Sequence, residues 1–309
     1  MKSFSLFALI AVLSISVSAQ TRGCSQGRGS DRQNLPGGYV AQVAPAGDDA
    51  HAGQCHATIV LSKPDGADGK TVFELYEREA AINPISGKDV NAGGKPDAVI
   101  ETHPAAGECC WNYYVFSLGD TPGLIREFST SVALNFEDKL GDGKVEIWTR
   151  DFAFDGVDNF PHAESPFPLI FFRMHGNTVN NVSQLFWPDY EREIAETRGY
   201  ISRDDIDTLT KIEADNPKPS QEGDPKDAHL LSVRAQILAL VLDYLYADHG
   251  PEAWKTISEM WPVLDRQRLR QLILQRRMRG IMSEINRIPK TSSAVTIGAQ
   301  ASPSSTSNQ

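Results

Sequence analysis

The sequence predicts an α+β protein in which an N-terminal antiparallel β meander is followed by a C-terminal helical region. Between His56 and Gly176 the chain consists of short β-prone runs, such as HATIVLS and TVFELYE, separated by turns rich in Asp and Gly. No amphipathic helix interrupts these runs, which disfavours the βαβ order of a parallel sheet. After Trp187 the apolar residues recur at helical spacing instead. We therefore expect a β region over residues 55–186 and a helical region over residues 187–288.

Residues 1–19 have the three parts of a secretory signal peptide. Lys2 gives the basic start, Phe4–Val17 forms a short apolar core, and Ala19 occupies the last position of a small-residue cleavage site. The core is too short and too rich in serine for a membrane span, and no later stretch approaches spanning length. We therefore predict an exported protein, periplasmic or extracellular, with no membrane span.

Composition limits the classes of partner and the extent of ordered structure. A formal net charge of −10 argues against general nucleic-acid binding. Residues 20–54 are rich in Gly, Ser, Asp and Gln and contain few large apolar residues, which predicts a flexible leader. Residues 289–309 are rich in Ser, Thr and Gln, which predicts a disordered tail. The oligomeric state and the partner, an unknown protein or an envelope polymer, stay open.

The chain has four cysteines, Cys24, Cys55, Cys109 and Cys110. Export places them in an oxidising compartment, where disulfides persist. Four cysteines allow three pairings, and the sequence does not choose among them. A bond between the adjacent Cys109 and Cys110 is strained, so we favour Cys55 with one of them and Cys24 with the other. A zinc site made from these cysteines and His56 lacks the usual spacing of two to four residues between two cysteines.

The helical region is predicted as a series of helices around one buried helix. Ser202 and Asp205 begin a helix with an acidic first turn. Asp227–Asp248 has apolar residues around most of its circumference, which predicts a central, buried helix. A short helix then starts at Pro251, and Asp265–Arg287 is predicted as a last continuous helix. Because the central helix needs cover on all sides, we expect the helices to pack on the sheet.

Two acidic loops, DVNAGGKPDAVI from Asp89 and DKLGDGKVEIWT from Asp138, share one register. With each first aspartate as position 1, both have an acid at position 9, glycine at 6 and lysine at 7. Calcium takes six to eight oxygen ligands, and such loops supply them from alternate positions. Both loops lead into strands, which argues against an EF-hand. The candidate calcium ligands, with each lysine acting through its carbonyl, are Asp89, Asn91, Lys95, Asp97, Asp138, Asp142, Lys144 and Glu146.

This loop-plus-strand pattern resembles the FG-GAP or VCBS-type repeat, whose loop reads approximately D-x-N/D-G-D-G-x-x-D before an apolar strand. The resemblance covers about residues 85–155 and implies calcium-binding loops between strands of a β-propeller blade. Gly93 at position 5 and Leu140 at position 3 each remove one ligand, so the expected affinity is near, or weaker than, about 10⁻⁴–10⁻³ M. Degenerate repeats whose loops only turn the chain are the alternative. Two repeats do not close a propeller, which typically has four to eight blades.

The segment GECCWNYY, Gly107–Tyr114, resembles a G-x-C-C-x-x-Y-Y segment of uncharacterised exported bacterial proteins, a likeness that implies no activity. The strand WNYYVF, Trp111–Phe116, is apolar on both faces, which predicts a core strand in preference to an exposed sugar-stacking platform.

Function is predicted as binding or recognition by a non-enzymatic exported protein with weak calcium-binding loops. The chain has no G-x-S-x-G, H-E-x-x-H, P-loop or Rossmann motif. The alternative is a periplasmic or secreted hydrolase with an unidentified acid–base pair, which a deep cleft lined by His162, Glu164 and Asp158 would support. The last helix is rich in arginine between Arg266 and Arg279. We favour packing of these arginines against the acidic β region, or their simple solvation, over a docking surface for an anionic partner or envelope polymer.

Overall fold

The structure is a computed structural model that describes residues 23–62, 69–103, 110–215, 225–287 and 296–297. The predicted signal peptide therefore lies outside the described residues. The strands, in chain order, are β1 (Cys24–Ser25), β2 (Asp31–Leu35), β3 (Tyr39–Pro45), β4 (Cys55–Leu61), β5 (Lys70–Glu77), β6 (Glu79–Ile82), β7 (Asp97–His103), β8 (Trp111–Ser117), β9 (Gly123–Thr130), β10 (Asn135–Glu137), β11 (Glu146–Arg150), β12 (Leu169–His175), β13 (Thr178–Asn181) and β14 (Thr296–Ile297).

Strands β2–β13 form three consecutive four-stranded antiparallel meanders. The N-terminal sheet contains β2–β5 with β14 added at its edge, the central sheet contains β6–β9 with β1 added, and the C-terminal sheet contains β10–β13. In every sheet, strands that follow one another in the chain are hydrogen-bonded neighbours. The predicted antiparallel meander is confirmed, and within the described ranges none of the three sheets closes on itself.

The central sheet lies between two hydrophobic cores. Ala98 and Ile100 of β7 belong to the core shared with the N-terminal sheet. Val99, between them, belongs to the core shared with the C-terminal sheet and the helices, because successive side chains of a strand point to opposite faces. Tyr113 and Tyr114 of β8 divide between the two cores in the same way and are both buried. This confirms that Trp111–Phe116 is a core strand.

The helices are α1 (Trp187–Gly199), α2 (Arg203–Asp215), α3 (Pro225–Tyr246), α4 (Gly250–Met260), α5 (Arg266–Arg277) and α6 (Ile281–Asn286). They share one core with the C-terminal sheet, as expected from their packing on the β region. Ile237 and Val241 of α3 are fully buried in it, which confirms the central helix. From the sequence we expect no later stretch of membrane-spanning length, but Ala228–Tyr246 would be able to cross a membrane by length and composition alone; half of it is buried inside the protein.

The prediction of a flexible leader over residues 20–54 is wrong for the part that the structure describes. This segment supplies β1, β2 and β3, and Ala41 and Val43 of β3 are fully buried. The composition was misleading because small residues in alternate positions are sufficient to pack one face of an antiparallel strand. Of the predicted disordered tail, the structure describes Thr296–Ile297, which pair with β5, and the rest lies outside the described residues.

The disulfide pairing also differs from the favoured one. Cys24 of β1 is bonded to Cys55 of β4, with a Cα–Cα distance of 5.8 Å that suits a disulfide. The pairing of Cys55 with Cys109 or Cys110 is therefore wrong, and Cys55 has no thiolate to offer a zinc ion. Cys110 is disulfide-bonded as well. The bond between Cys24 and Cys55 links the edge of the central sheet to the N-terminal sheet.

The predicted continuous helix Asp265–Arg287 is divided into α5 and α6 at Gly280. Gly280 has an extended backbone, with φ −78° and ψ −166°, and precedes the first residue of α6. The carboxylate of Asp151 lies so close that a Cβ atom on Gly280 would be 2.2 Å from its Oδ2 atom. A tertiary contact, which helical periodicity does not report, therefore sets the break.

Candidate functional site

The two acidic loops occupy equivalent positions in two of the meanders. Loop one, residues 83–96, connects β6 to β7, the first two strands of the central meander. Loop two, residues 138–145, connects β10 to β11, the first two strands of the C-terminal meander. In both cases the connected strands are antiparallel neighbours. The register shared by the two sequences is therefore matched by the same place in a four-stranded meander.

The first and ninth positions of loop one fold the loop by accepting backbone hydrogen bonds. The Asp89 carboxylate accepts the N–H groups of Gly93 (3.0 Å) and Gly94 (2.7 Å). Gly94 has φ +75°, a conformation that favours glycine. The Asp97 carboxylate accepts the N–H groups of Val90 (2.8 Å) and Asn91 (3.0 Å). The loop therefore turns around two inward-facing carboxylates.

Asp97 is a buried carboxyl whose ionisation is unfavourable. It is fully buried and also accepts a hydrogen bond from the Asn91 side-chain amide at 3.1 Å. Desolvation raises the pKa of Asp97 to about 6. The two backbone hydrogen bonds to Asp97 lower its pKa, and the negative charge of Asp89 raises it further. A cation next to these two carboxylates would lower this pKa and favour the charged form.

The Asn91 side chain presents an unused oxygen inside loop one. Asn91 is 6% exposed, and its Oδ1 atom is buried with no hydrogen-bond partner in the described part of the chain. The same oxygen lies against Gly93, where a Cβ atom would be 2.4 Å away. The missing side chain at position 5 is therefore not an empty space, because Asn91 Oδ1 fills it. An amide oxygen of this kind is a suitable ligand for calcium.

The Lys95 side chain is turned away from the carboxylates of loop one. Its Nζ atom lies 3.5 Å from Asp120, on an exposed surface. Among the residues that the structure describes, neither Asp89 nor Asp97 forms an ion pair with a lysine or arginine. Loop one thus combines two carboxylates and a free amide oxygen without an internal counter-charge.

Loop two repeats the backbone contacts of loop one. Asp138, at position 1, accepts the N–H of Gly143 at position 6 (3.0 Å). Glu146, at position 9, accepts the N–H of Lys139 at position 2 (2.8 Å), as Asp97 does from Val90. The shared sequence register therefore corresponds to a shared hydrogen-bond pattern.

Loop two differs from loop one because an arginine binds its acids. Arg173 of β12 donates to Glu146, which is fully buried, and lies 3.0 Å from Asp142. Partial desolvation raises the pKa of Asp142, but the N–H of Lys144 and the Arg173 guanidinium outweigh it and hold the pKa below its usual value. Lys144 Nζ is itself 4.0 Å from Asp142. The cationic groups of the chain therefore compensate two of the three acids of loop two, Asp142 and Glu146.

Across the described ranges, no group of three or more His, Cys, Asp or Glu residues could hold a metal ion. Loop one reaches a plausible ligand set only through its amide and carbonyl oxygens. That set consists of Asp89, Asn91 and Asp97 with the Lys95 carbonyl, and water molecules would have to complete it.

Asp158 and His162 of the alternative hydrolase are held by different partners. Asp158 lies 2.7 Å from Arg268 and 3.3 Å from Arg234. His162 instead lies 3.0 Å from Asp155, and both are exposed. Asp158 therefore forms structural ion pairs that join the β region to the helices. Through this contact Arg268 packs against the acidic β region, which is one of the two arrangements that we favour for it from the sequence.

Two features of the site were not predicted from the sequence. The contact of Arg173 with loop two depends on the register of β11 and β12, which places Arg173 directly opposite Glu146. The Asn91 oxygen is unpaired because the loop is buried, and the sequence indicated Asn91 as a ligand only through its position in the loop register.

Comparison of the chain with protein-family models, with curated proteins and with solved structures gave no match.

Proposed function

We propose that this chain is an exported, non-enzymatic binding protein in which loop one takes a calcium ion, whereas Arg173 supplies the cation of loop two internally. The observation that carries the proposal is the buried Oδ1 atom of Asn91, which has no hydrogen-bond donor in the described part of the chain. Leaving such a buried acceptor unpaired costs about 1–3 kcal/mol. A bound cation would satisfy it.

The donors near loop one explain why a cation is the best partner for this oxygen. The N–H groups of Val90 and Asn91 donate to Asp97, and those of Gly93 and Gly94 donate to Asp89. The remaining requirement is positive charge, because the loop turns around two carboxylates without an internal counter-charge. Calcium accepts carboxylate, amide and carbonyl oxygens in flexible geometry, whereas magnesium demands a near-ideal octahedron.

The affinity of loop one should be low. Its carboxylate oxygens already accept backbone hydrogen bonds, so an ion would share them. The burial of Asp97 also disfavours the ionised form that a calcium ion would bind. We therefore place the dissociation constant at about 10⁻⁴–10⁻³ M, the range of extracellular calcium modules. Such a site suits an exported protein that meets millimolar calcium.

Calcium in loop one would stiffen a junction between sheets. The carbonyl of Asn91 accepts the N–H of Gly176, in the turn between β12 and β13, at 2.8 Å. Loop one thus joins the central sheet to the C-terminal sheet. With a dissociation constant of about 10⁻⁴ M, 1 mM calcium would stabilise the folded state by roughly 1.4 kcal/mol. We propose that this stabilised β surface serves recognition of a protein or envelope polymer.

Thermal unfolding with calcium, with magnesium and with a chelator tests the proposal. With a dissociation constant of about 10⁻⁴ M, we expect 1 mM calcium to raise the melting temperature by about 3–6 °C, from roughly 2–4 °C per kcal/mol. Asp89→Asn should abolish this shift. Asp138→Asn, which changes the same position of loop two, is the matched control and should retain it. An unchanged melting temperature in millimolar calcium, or a shift that survives Asp89→Asn, would refute the proposal.

A further inference from the structure

A cavity of about 210 Å³ lies between the segments that follow β9 and β11 and the last two helices, at a place distinct from both acidic loops. Its apolar walls include Val132, Phe152 and Ile281. Arg276, in the last turn of α5, and Arg279, between α5 and α6, also line it. An apolar space with convergent charged groups is the usual form of a small-molecule site.

One buried carboxylate fixes opposite walls of this cavity. Asp151 accepts the N–H of Ala153 at 3.0 Å in one wall and the N–H of Ile281 at 3.3 Å in the other. It also accepts the hydroxyl of Tyr246 at 2.7 Å. Because Gly280 lacks a Cβ, the second wall can approach Asp151 closely. The shape of the cavity is therefore set before any ligand enters, which reduces the entropic cost of binding.

The carboxylates that line the cavity already accept hydrogen bonds from the protein, but many of the N–H groups that line it donate to no acceptor in the part of the chain that the structure describes. Asp151 has its three donors, and Glu284 accepts the N–H (2.7 Å) and the hydroxyl (2.9 Å) of Ser131. Arg276 donates to the Ala153 carbonyl at 3.3 Å, which uses one of its five N–H groups. Among the described residues, neither Arg276 nor Arg279 forms an ion pair. The unused capacity is cationic, so the site favours an anion.

The apolar wall has the size and rigidity for a ring. Phe152 is 42% exposed, and its ring is held against Phe167 with a centroid distance of 4.3 Å. A closed apolar cavity of about 150 Å³ is sufficient to bind benzene. The larger cavity here has room for a ring of that size together with a carboxylate.

We propose that this cavity binds a small organic monoanion, with its carboxylate against Arg276 and Arg279 and its apolar body between Val132, Phe152 and Ile281. The site requires no calcium, so its test is independent of loop one. Because Arg279 is exposed, binding should weaken as ionic strength rises.

Titration of the calcium-free protein with benzoate, and with benzamide as an uncharged probe of the same shape, tests the proposal. We expect benzoate to bind in the millimolar range or tighter and at least tenfold more tightly than benzamide. Arg279→Gln should weaken benzoate binding about tenfold, the loss expected for one charge-assisted hydrogen bond. Arg270→Gln is the control, because Arg270 lies over Trp254 and does not line the cavity.

Three results would overturn the proposal. The first is the absence of benzoate binding up to 20 mM, roughly the weakest affinity that a ligand of this size would show. The second is equal affinity for benzoate and benzamide. The third is unchanged benzoate binding in Arg279→Gln. Unfolding curves of both variants separate loss of the site from loss of the fold.

Discussion

Replacement of Arg173 by methionine tests directly whether this side chain acts as the cation of loop two. The substitution keeps an unbranched apolar stem but removes the guanidinium that binds Glu146 and Asp142. Glu146 is fully buried and would retain one hydrogen bond, from the N–H of Lys139. The folded state would therefore contain a buried carboxylate without its cation.

The expected loss of stability follows from the burial of this pair. Removal of one partner from a buried ion pair costs about 3–5 kcal/mol, because the other charge remains uncompensated. The hydrogen bond from Lys139 and the 14% exposure of the Arg173 side chain place Arg173→Met near the lower end, at about 3 kcal/mol. At roughly 2–4 °C per kcal/mol, the melting temperature should fall by about 6–12 °C.

Urea unfolding of four proteins separates the loss of charge compensation from loss of packing. They are the wild type, Arg173→Met, the double variant Arg173→Met with Glu146→Gln, and Arg203→Met. The double variant should recover part of the loss, because glutamine leaves no buried charge. Arg203 forms an exposed pair with Asp207 at 3.2 Å, so its loss should cost less than about 1 kcal/mol.

Calcium should also stabilise Arg173→Met more than it stabilises the wild type, because Asp142 and Glu146 of loop two lose their guanidinium. A loss below about 1 kcal/mol in Arg173→Met, or a double variant no more stable than the single one, would refute the role of Arg173.

Four further outcomes are expected. Gly280→Ala should lower the free energy of urea unfolding by about 1–3 kcal/mol, because the new Cβ atom collides with Asp151. Joint replacement of Cys24 and Cys55 by serine should cost about 3–4 kcal/mol in the same assay, the entropy of a loop with a sequence separation of 31. Calcium affinity, measured by calorimetry, should fall about tenfold per pH unit below pH 6, because binding requires ionised Asp97. Without calcium, the raised pKa of Asp97 favours folding most below about pH 4, and this contribution is lost as the pH rises through 6.

Those parts of the candidate site that depend on short-range contacts were predictable from the sequence. The contacts of Asp89 with Gly94, and of Asp138 with Gly143, join positions five residues apart in the same loop. Their recurrence was visible as a repeated order of acid, glycine and lysine. The order of strands within each meander was predictable for the same reason, since the strands of β2–β5, of β6–β9 and of β10–β13 pair with their neighbours in the chain.

Contacts between distant segments were not predictable in this way. Arg173 reaches Glu146 across 27 positions, and a one-residue change in strand register would send it to the other face of the sheet. Gly280 ends one helix because of Asp151, which is far from it in the sequence. In the mispredicted leader, Ala41 and Val43 are buried against neighbouring strands, and their small size gave only a weak signal.

The most direct measurement for loop one is the calcium stoichiometry at pH 7.5, by calorimetry on the wild type, Asn91→Ala and Leu140→Ala. We expect one ion per wild-type chain, with a dissociation constant of about 10⁻⁴–10⁻³ M. Asn91→Ala should lose this binding, whereas Leu140→Ala, at the same position of loop two, should keep it. Undetectable binding to the wild type, or undiminished binding to Asn91→Ala, would contradict the assignment of calcium to loop one.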